Sequence, residues 1–152
     1  MVNNVLQVMF FDRDQQGARR LIRNTASLES AISTCNGLKV KVDGVSRLKT
    51  VASEAGAEDL LMREGGPVYH ALIVHGLALG QESVMTTAIL VNEEIGRPNN
   101  RTIYLHVGEK PVDYVQTGVT FIQFHSGDGY LTQVEAKQIA KVLEGIAKEE
   151  FS

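Results

Sequence analysis

The chain has 152 residues, a formal charge of −3, a single cysteine, and 43% hydrophobic and 22% charged residues. These values fit one globular domain spanning 1–152. They exclude an intrachain disulfide framework and argue against generic binding to a phosphate backbone. No run approaches the ~20 apolar residues of a membrane helix. Asn3 and Asn4 stand where a signal peptide carries basic residues, so the expected setting is the cytoplasm.

Val5 to Phe11 is apolar, and Val2, Val5, Leu6, Met9 and Phe10 also share one helical face. Periodicity alone does not separate helix from strand in so short a run. Ala18 to Asn24 and Leu28 to Cys35 fit two strands of a hairpin, or one helix interrupted at Thr25 and Ser27. The pattern predicts a helix followed by a hairpin. Asp43 to Gly56 predicts a second helix, capped by Asp43 and striped by Val45, Leu48, Val51 and Ala52. Ala57 to Arg63 adds a short helical turn, and Gly65-Gly66-Pro67 is a loop.

Strands follow over Tyr69–Leu79, Ser83–Val91, Arg101–Val107, Val112–Gln116 and Val119–His125. Arg97 to Asn100 and Thr117-Gly118 supply turns. Connections of hairpin length imply antiparallel neighbours. The terminal helix is the clearest element. Thr132 and Glu135 have capping-box spacing. Val134, Ile139, Val142, Leu143 and Ile146 form the expected buried stripe. Glu144 and Lys148 are placed for an i,i+4 pair on the wet face.

Catalytic signatures are not found. Gly76 to Gly80 has the glycines of neither a dinucleotide fingerprint nor a P-loop. His70, His75, His106 and His125 show no ligand spacing, and no metal or other cofactor is expected. Cys35 reads as a small buried hydrophobe. Asp12, Asp14, Glu149 and Glu150 read as solvated acids. No enzyme activity is therefore expected. Arg13, Arg19, Arg20 and Arg23 form a basic cluster in an acidic chain, suited to a lipid headgroup or an acidic partner. Met85, Arg101, Tyr104, His106 and Tyr114 are of the residue types enriched at protein interfaces.

Three blocks carry a family resemblance. Val74-His75-Gly76-Leu77-Ala78-Leu79-Gly80-Gln81 resembles a profilin stretch that runs through Asn-Gly-Leu to Leu-Gly-Gly. Thr117-Gly118-Val119-Thr120-Phe121-Ile122 looks like the last profilin hairpin. Leu131-Thr132 and the hydrophobic spacing through Ile139 and Leu143 are similar to the profilin C-terminal helix. The likeness is to a divergent, archaeal-type profilin and covers Val74 to Phe151.

The resemblance implies an α+β fold, with a central antiparallel sheet flanked by both terminal helices on one face and short helices on the other. It implies a cytoskeleton-associated monomer that binds actin monomers and regulates their polymerisation. The actin contact falls on Gln81, Ser83, Met85, Arg101, Tyr104, His106, Tyr114, Gln133, Lys137 and Lys141. It also implies phosphoinositide regulation through the Arg cluster. The chain has no Trp, which weighs against binding of proline-rich peptides. The alternative is a roadblock or longin-type regulator or scaffold of small GTPases, also built on a central antiparallel sheet.

Overall fold

A computed structural model describes residues 4–12, 19–35, 37–45, 69–76, 98–107 and 118–152 of the chain. Five strands form one sheet: β1 (Leu6–Phe11), β2 (Val40–Val45), β3 (Ala71–His75), β4 (Thr102–His106) and β5 (Thr120–Gln123). Their order is β2-β1-β3-β4-β5, and every neighbouring pair is parallel. Helix α1 (Arg19–Ser33) lies between β1 and β2, and helix α2 (Gln133–Phe151) follows β5. A single 3-10 turn over Asn99–Arg101 leads into β4.

The parallel sheet overturns the expected antiparallel, profilin-like architecture. It also removes the scaffold assumed for the GTPase-regulator alternative. The physical reason lies in burial. Strands of a parallel sheet are covered on both faces and lose the in-out alternation of an antiparallel strand. All five residues of β3 and all five of β4 are buried. The stretches from His75 to Thr102 and from His106 to Thr120 are long enough for parallel crossovers. The expected strands Ser83–Val91 and Val112–Gln116, which made the connections look like hairpins, lie outside the described residues.

The first third of the chain is also corrected. Within the expected helix over Val5 to Phe11, Leu6–Phe11 forms strand β1 in the interior of the sheet. Five of its six residues are buried. In place of the expected hairpin over Ala18 to Cys35, Arg19–Ser33 is one helix. Leu21, Asn24, Leu28 and Ile32 are its buried residues, at spacings of three and four that only a helix aligns. Gly37, at φ +77°, turns the chain back toward β2. Asp43 ends inside β2 and caps no helix there; the rest of the expected helix, and the turn at 57–63, lie outside the described residues.

Moving from β1 to β2 by a right-handed crossover puts α1 on one face of the sheet. Helix α2 packs beside α1 on the same face. Leu6, Val8, Phe10, Ala71, Ile73, Ile103, Leu105 and Ile122 project to that side. There they meet Leu28 and Ile32 of α1 and Ile139, Leu143 and Ile146 of α2. Met9, Phe11, Leu72, Val74 and Tyr104 are buried on the opposite face.

The terminal helix stands where the sequence places it, with two differences. Thr132 is the N-cap but its side chain makes no cap bond. Glu135 is fully buried and accepts the His125 backbone N–H at 2.9 Å instead of completing a capping box. Val134 is exposed and Val142 half-buried, while Ala136 and Ala140 join Ile139, Leu143 and Ile146 in the buried stripe. The Glu144–Lys148 pair forms at 3.7 Å.

Glu149 is exposed as expected, but Glu150 is not simply solvated. Glu150 binds Arg101 at 3.0 Å, and Glu149 lies 3.9 Å from it. Arg101 is itself buried. The Nδ1 of His70 accepts the Gln7 N–H at 2.9 Å, and the ring meets Phe151 edge-on. This cluster pins the end of α2 beneath β3 and β4.

Gly76 follows β3 where backbone approach is closest. A Cβ there would stand 2.7 Å from the Leu105 carbonyl oxygen, an atom that also accepts the Gly76 N–H at 2.8 Å. Gly76→Ala is therefore expected to lower stability by about 2 kcal/mol through overpacking. Urea denaturation with the m-value unchanged is the check.

Candidate functional site

The strand order creates the site. From β1 the chain moves outward to β2, and later returns to β3 on the other side of β1. Where connections diverge in this way, a crevice opens beyond the carboxyl ends of the strands. Asp12 follows β1, His75 closes β3 and His106 closes β4.

Asp12 and His75 are neighbours because Phe11 pairs with Val74. Asp12 is fully buried and is met by Arg20, in the first turn of α1. Arg20 Nε and Nη2 donate to the two carboxylate oxygens, each at 2.7 Å. A fork of this kind satisfies a carboxylate that burial would otherwise penalise. His75 is also fully buried, with Nδ1 3.9 Å from Asp12 Oδ1. Its Nε2 lies 2.9 Å from the Gly129 carbonyl. A carbonyl only accepts, so Nε2 carries a proton. The ring rests against Phe124, with centroids 4.9 Å apart.

Gly129 is the meeting point of the site. Its φ of +78° suits glycine and turns its carbonyl inward. Buried Asn24 of α1 donates to the same carbonyl at 3.0 Å and accepts the Leu131 N–H at 2.9 Å. The β5–α2 loop is thus held to α1 by Asn24 and to β3 by His75. Outside, Arg23 stacks over Tyr130 at 4.6 Å. Asp128 accepts from Ser126 Oγ and from the Tyr130 N–H. The Ser126 bond, then the Tyr130 bond, hold the Asp128 carboxyl below its ordinary value of 3.8.

His106 projects to the opposite face from His75. It is buried, and neither ring nitrogen has a hydrogen-bond partner among the described residues. Among the described residues, no three His, Cys, Asp or Glu stand together in a way that would hold a metal ion.

The residues expected from sequence are scattered by this fold. Arg101, Tyr104 and His106 are buried within or beneath the sheet and present no contact surface. Gln133, Lys137 and Lys141 are exposed on α2. Gln81, Ser83, Met85 and Tyr114 lie outside the described residues. In the expected headgroup cluster, Arg20 is committed to Asp12, Arg23 covers Tyr130 and Arg19 is exposed. Arg13 lies outside the described residues, as does Asp14. Sequence reasoning missed Asp12, Asn24, His75 and Gly129. The signal was present as three apolar runs that each stop on a titratable residue: Phe11-Asp12, Val74-His75 and Leu105-His106. In parallel sheets such stops mark carboxyl ends.

Neither family models nor curated protein sequences give a match to the chain. Solved structures do. A response regulator receiver protein from Sinorhizobium medicae matches at a TM-score of 0.53 and 14% identity, over 95% of both chains. A lysine decarboxylase from Francisella novicida, LdcF, matches at a TM-score of 0.54 and 9% identity. That match covers 94% of this chain, which spans 18% of the decarboxylase's length. At such identities the likeness is one of fold. It replaces the profilin resemblance, and with it the assignments to actin and the cytoskeleton. No helix among the described residues is long and apolar enough to cross a membrane.

Two outcomes are expected at the site. Arg20→Ala leaves a buried carboxylate unpaired and should cost about 3–5 kcal/mol, while Asp12→Leu with Arg20→Met should recover most of that loss. Denaturant titration of both variants is the check. Asp128 has a folded pKa below its unfolded one, so its contribution is present at neutral pH and is lost as pH falls through the folded value, below 3.8. An NMR titration should show the Tyr130 amide following Asp128 in that acid range.

Proposed function

We propose that the chain is a receiver-type signalling module that acts by binding another protein and performs no chemistry of its own. The carrying observation is the state of Asp12. It is the described carboxylate at the β1/β3 switch point, and both of its oxygens already receive Arg20. A carboxylate can act as a nucleophile only where its electrophile can reach it, and Asp12 is fully buried. Asp12 is buried and doubly bonded, which supports a structural part in a switch over a part as acceptor.

The surrounding geometry supports the same reading. His75 and Asn24 converge on the Gly129 carbonyl. A change at the carboxyl end of β3 therefore alters the hold on the β5–α2 loop and on the start of α2. Such an element, with few bonds and a loop between rigid parts, suits a two-state switch. The fold likeness to a receiver protein over nearly the whole of both chains fits this use.

The test is intact-mass analysis of the chain after incubation with acetyl phosphate and magnesium. The expected result is no phosphoryl adduct at neutral pH. A stable adduct mapped to Asp12 would replace this reading with that of a self-phosphorylating enzyme.

A further inference from the structure

Helices α1 and α2 leave a groove of about 510 Å³ between them on the outer face. Ala26, Ser30 and Ala31 line it from α1, and Gln133, Ala136 and Lys137 line it from α2. Small side chains let a third helix approach two others closely, its ridge entering the groove between them. Shape alone assigns no occupant. Charge does.

The acids on α2 are already engaged. Glu135 is turned inward to the His125 amide, Glu144 pairs with Lys148, and Glu149 and Glu150 face Arg101. Lys137 and Lys141 are exposed and have no carboxylate partner among the described residues. On α1, Arg19 is exposed and has no carboxylate partner among the described residues, while Arg23 stands over Tyr130, next in sequence to Leu131 of the lining, and its charge is felt by Asp128. The first turn of α1 has no acid, although the helix dipole favours one there. Glu29, the acid of α1, does not line the groove. In a chain of net charge −3, Lys137 on the lining and Lys141 one turn further along α2 stand without a carboxylate partner among the described residues beside a furrow of small residues.

We infer that the α1–α2 groove docks an acidic helix of a partner protein. The inference rests on the reading of the chain as a module that acts through another protein. Protein is favoured over nucleic acid because the whole chain is acidic, which works against the counterion-release term that drives phosphate-backbone binding. The small, mixed floor offers van der Waals contact to a helix ridge, and the rim cations give orientation and salt dependence.

The test uses the isotope-labelled full chain and a synthetic peptide helix of about five turns, with an Ala/Leu ridge flanked by Glu. An otherwise identical peptide carrying Lys in place of Glu is the control. The Glu peptide is expected to shift the amides of Ser27, Ser30, Gln133 and Lys137, with affinity falling as salt is added. Lys137→Glu, an exposed change, should weaken it about tenfold. Absence of binding, equal binding of both peptides, an unaltered affinity in Lys137→Glu, or shifts mapping to another surface would each overturn the groove assignment. None of those results bears on the phosphodonor experiment, which tests the module reading separately.

Discussion

The buried Asp12–Arg20 pair organises the carboxyl end of the sheet. Asp12 follows a central strand that is covered on both faces, so its charge has no access to water. Such a charge persists only when paired and hydrogen-bonded. Arg20 meets the requirement from the first turn of α1, at a helix start where a cation is otherwise disfavoured. That single demand fixes where α1 begins relative to β1. It thereby sets the height of Asn24, one turn further along, which reaches Gly129 and Leu131. The β5–α2 loop then inherits its position from a residue far away in sequence.

His75 adds the second link. It stands beside Asp12 at the strand switch, yet its hydrogen bond goes to the loop. The ring therefore joins the strand-end charge to the entry of α2. The other end of α2 is pinned independently by Arg101 and Glu150. A helix fixed at its far end and latched at its near end through one histidine and one asparagine can respond to small changes at the strand ends without losing its core packing.

Some of this was legible in the sequence. The hydrophobic spacing of α2 and the positions of β3, β4 and β5 follow from residue pattern. Strand direction did not, because short apolar runs look the same in parallel and antiparallel sheets once both faces are buried. Val5 to Phe11 fits a helical face as well as a strand, and only the neighbours on both sides settle it. The glycines of the family-like blocks recur for general reasons, a close backbone approach at Gly76 and a positive φ at Gly118. The site was hidden for a related reason. Asp12, Asn24, His75 and Gly129 are far apart in sequence and meet only through the β2-β1-β3-β4-β5 order, which no local pattern encodes. Charges assumed to be solvated, Asp12 and Glu150 among them, were misjudged because their partners come from other elements.

The central claim is that His75 carries the state of the strand ends to α2. Amide hydrogen exchange in His75→Ala tests it most directly. The Leu131 amide and the first-turn amides of α2 should exchange faster by roughly tenfold, the scale of one lost hydrogen bond. The amides of β1 and β4 should keep their protection. Uniform acceleration across sheet and helices, or no change at Leu131 and α2, would show that His75 is a packing residue and that the proposed link does not exist.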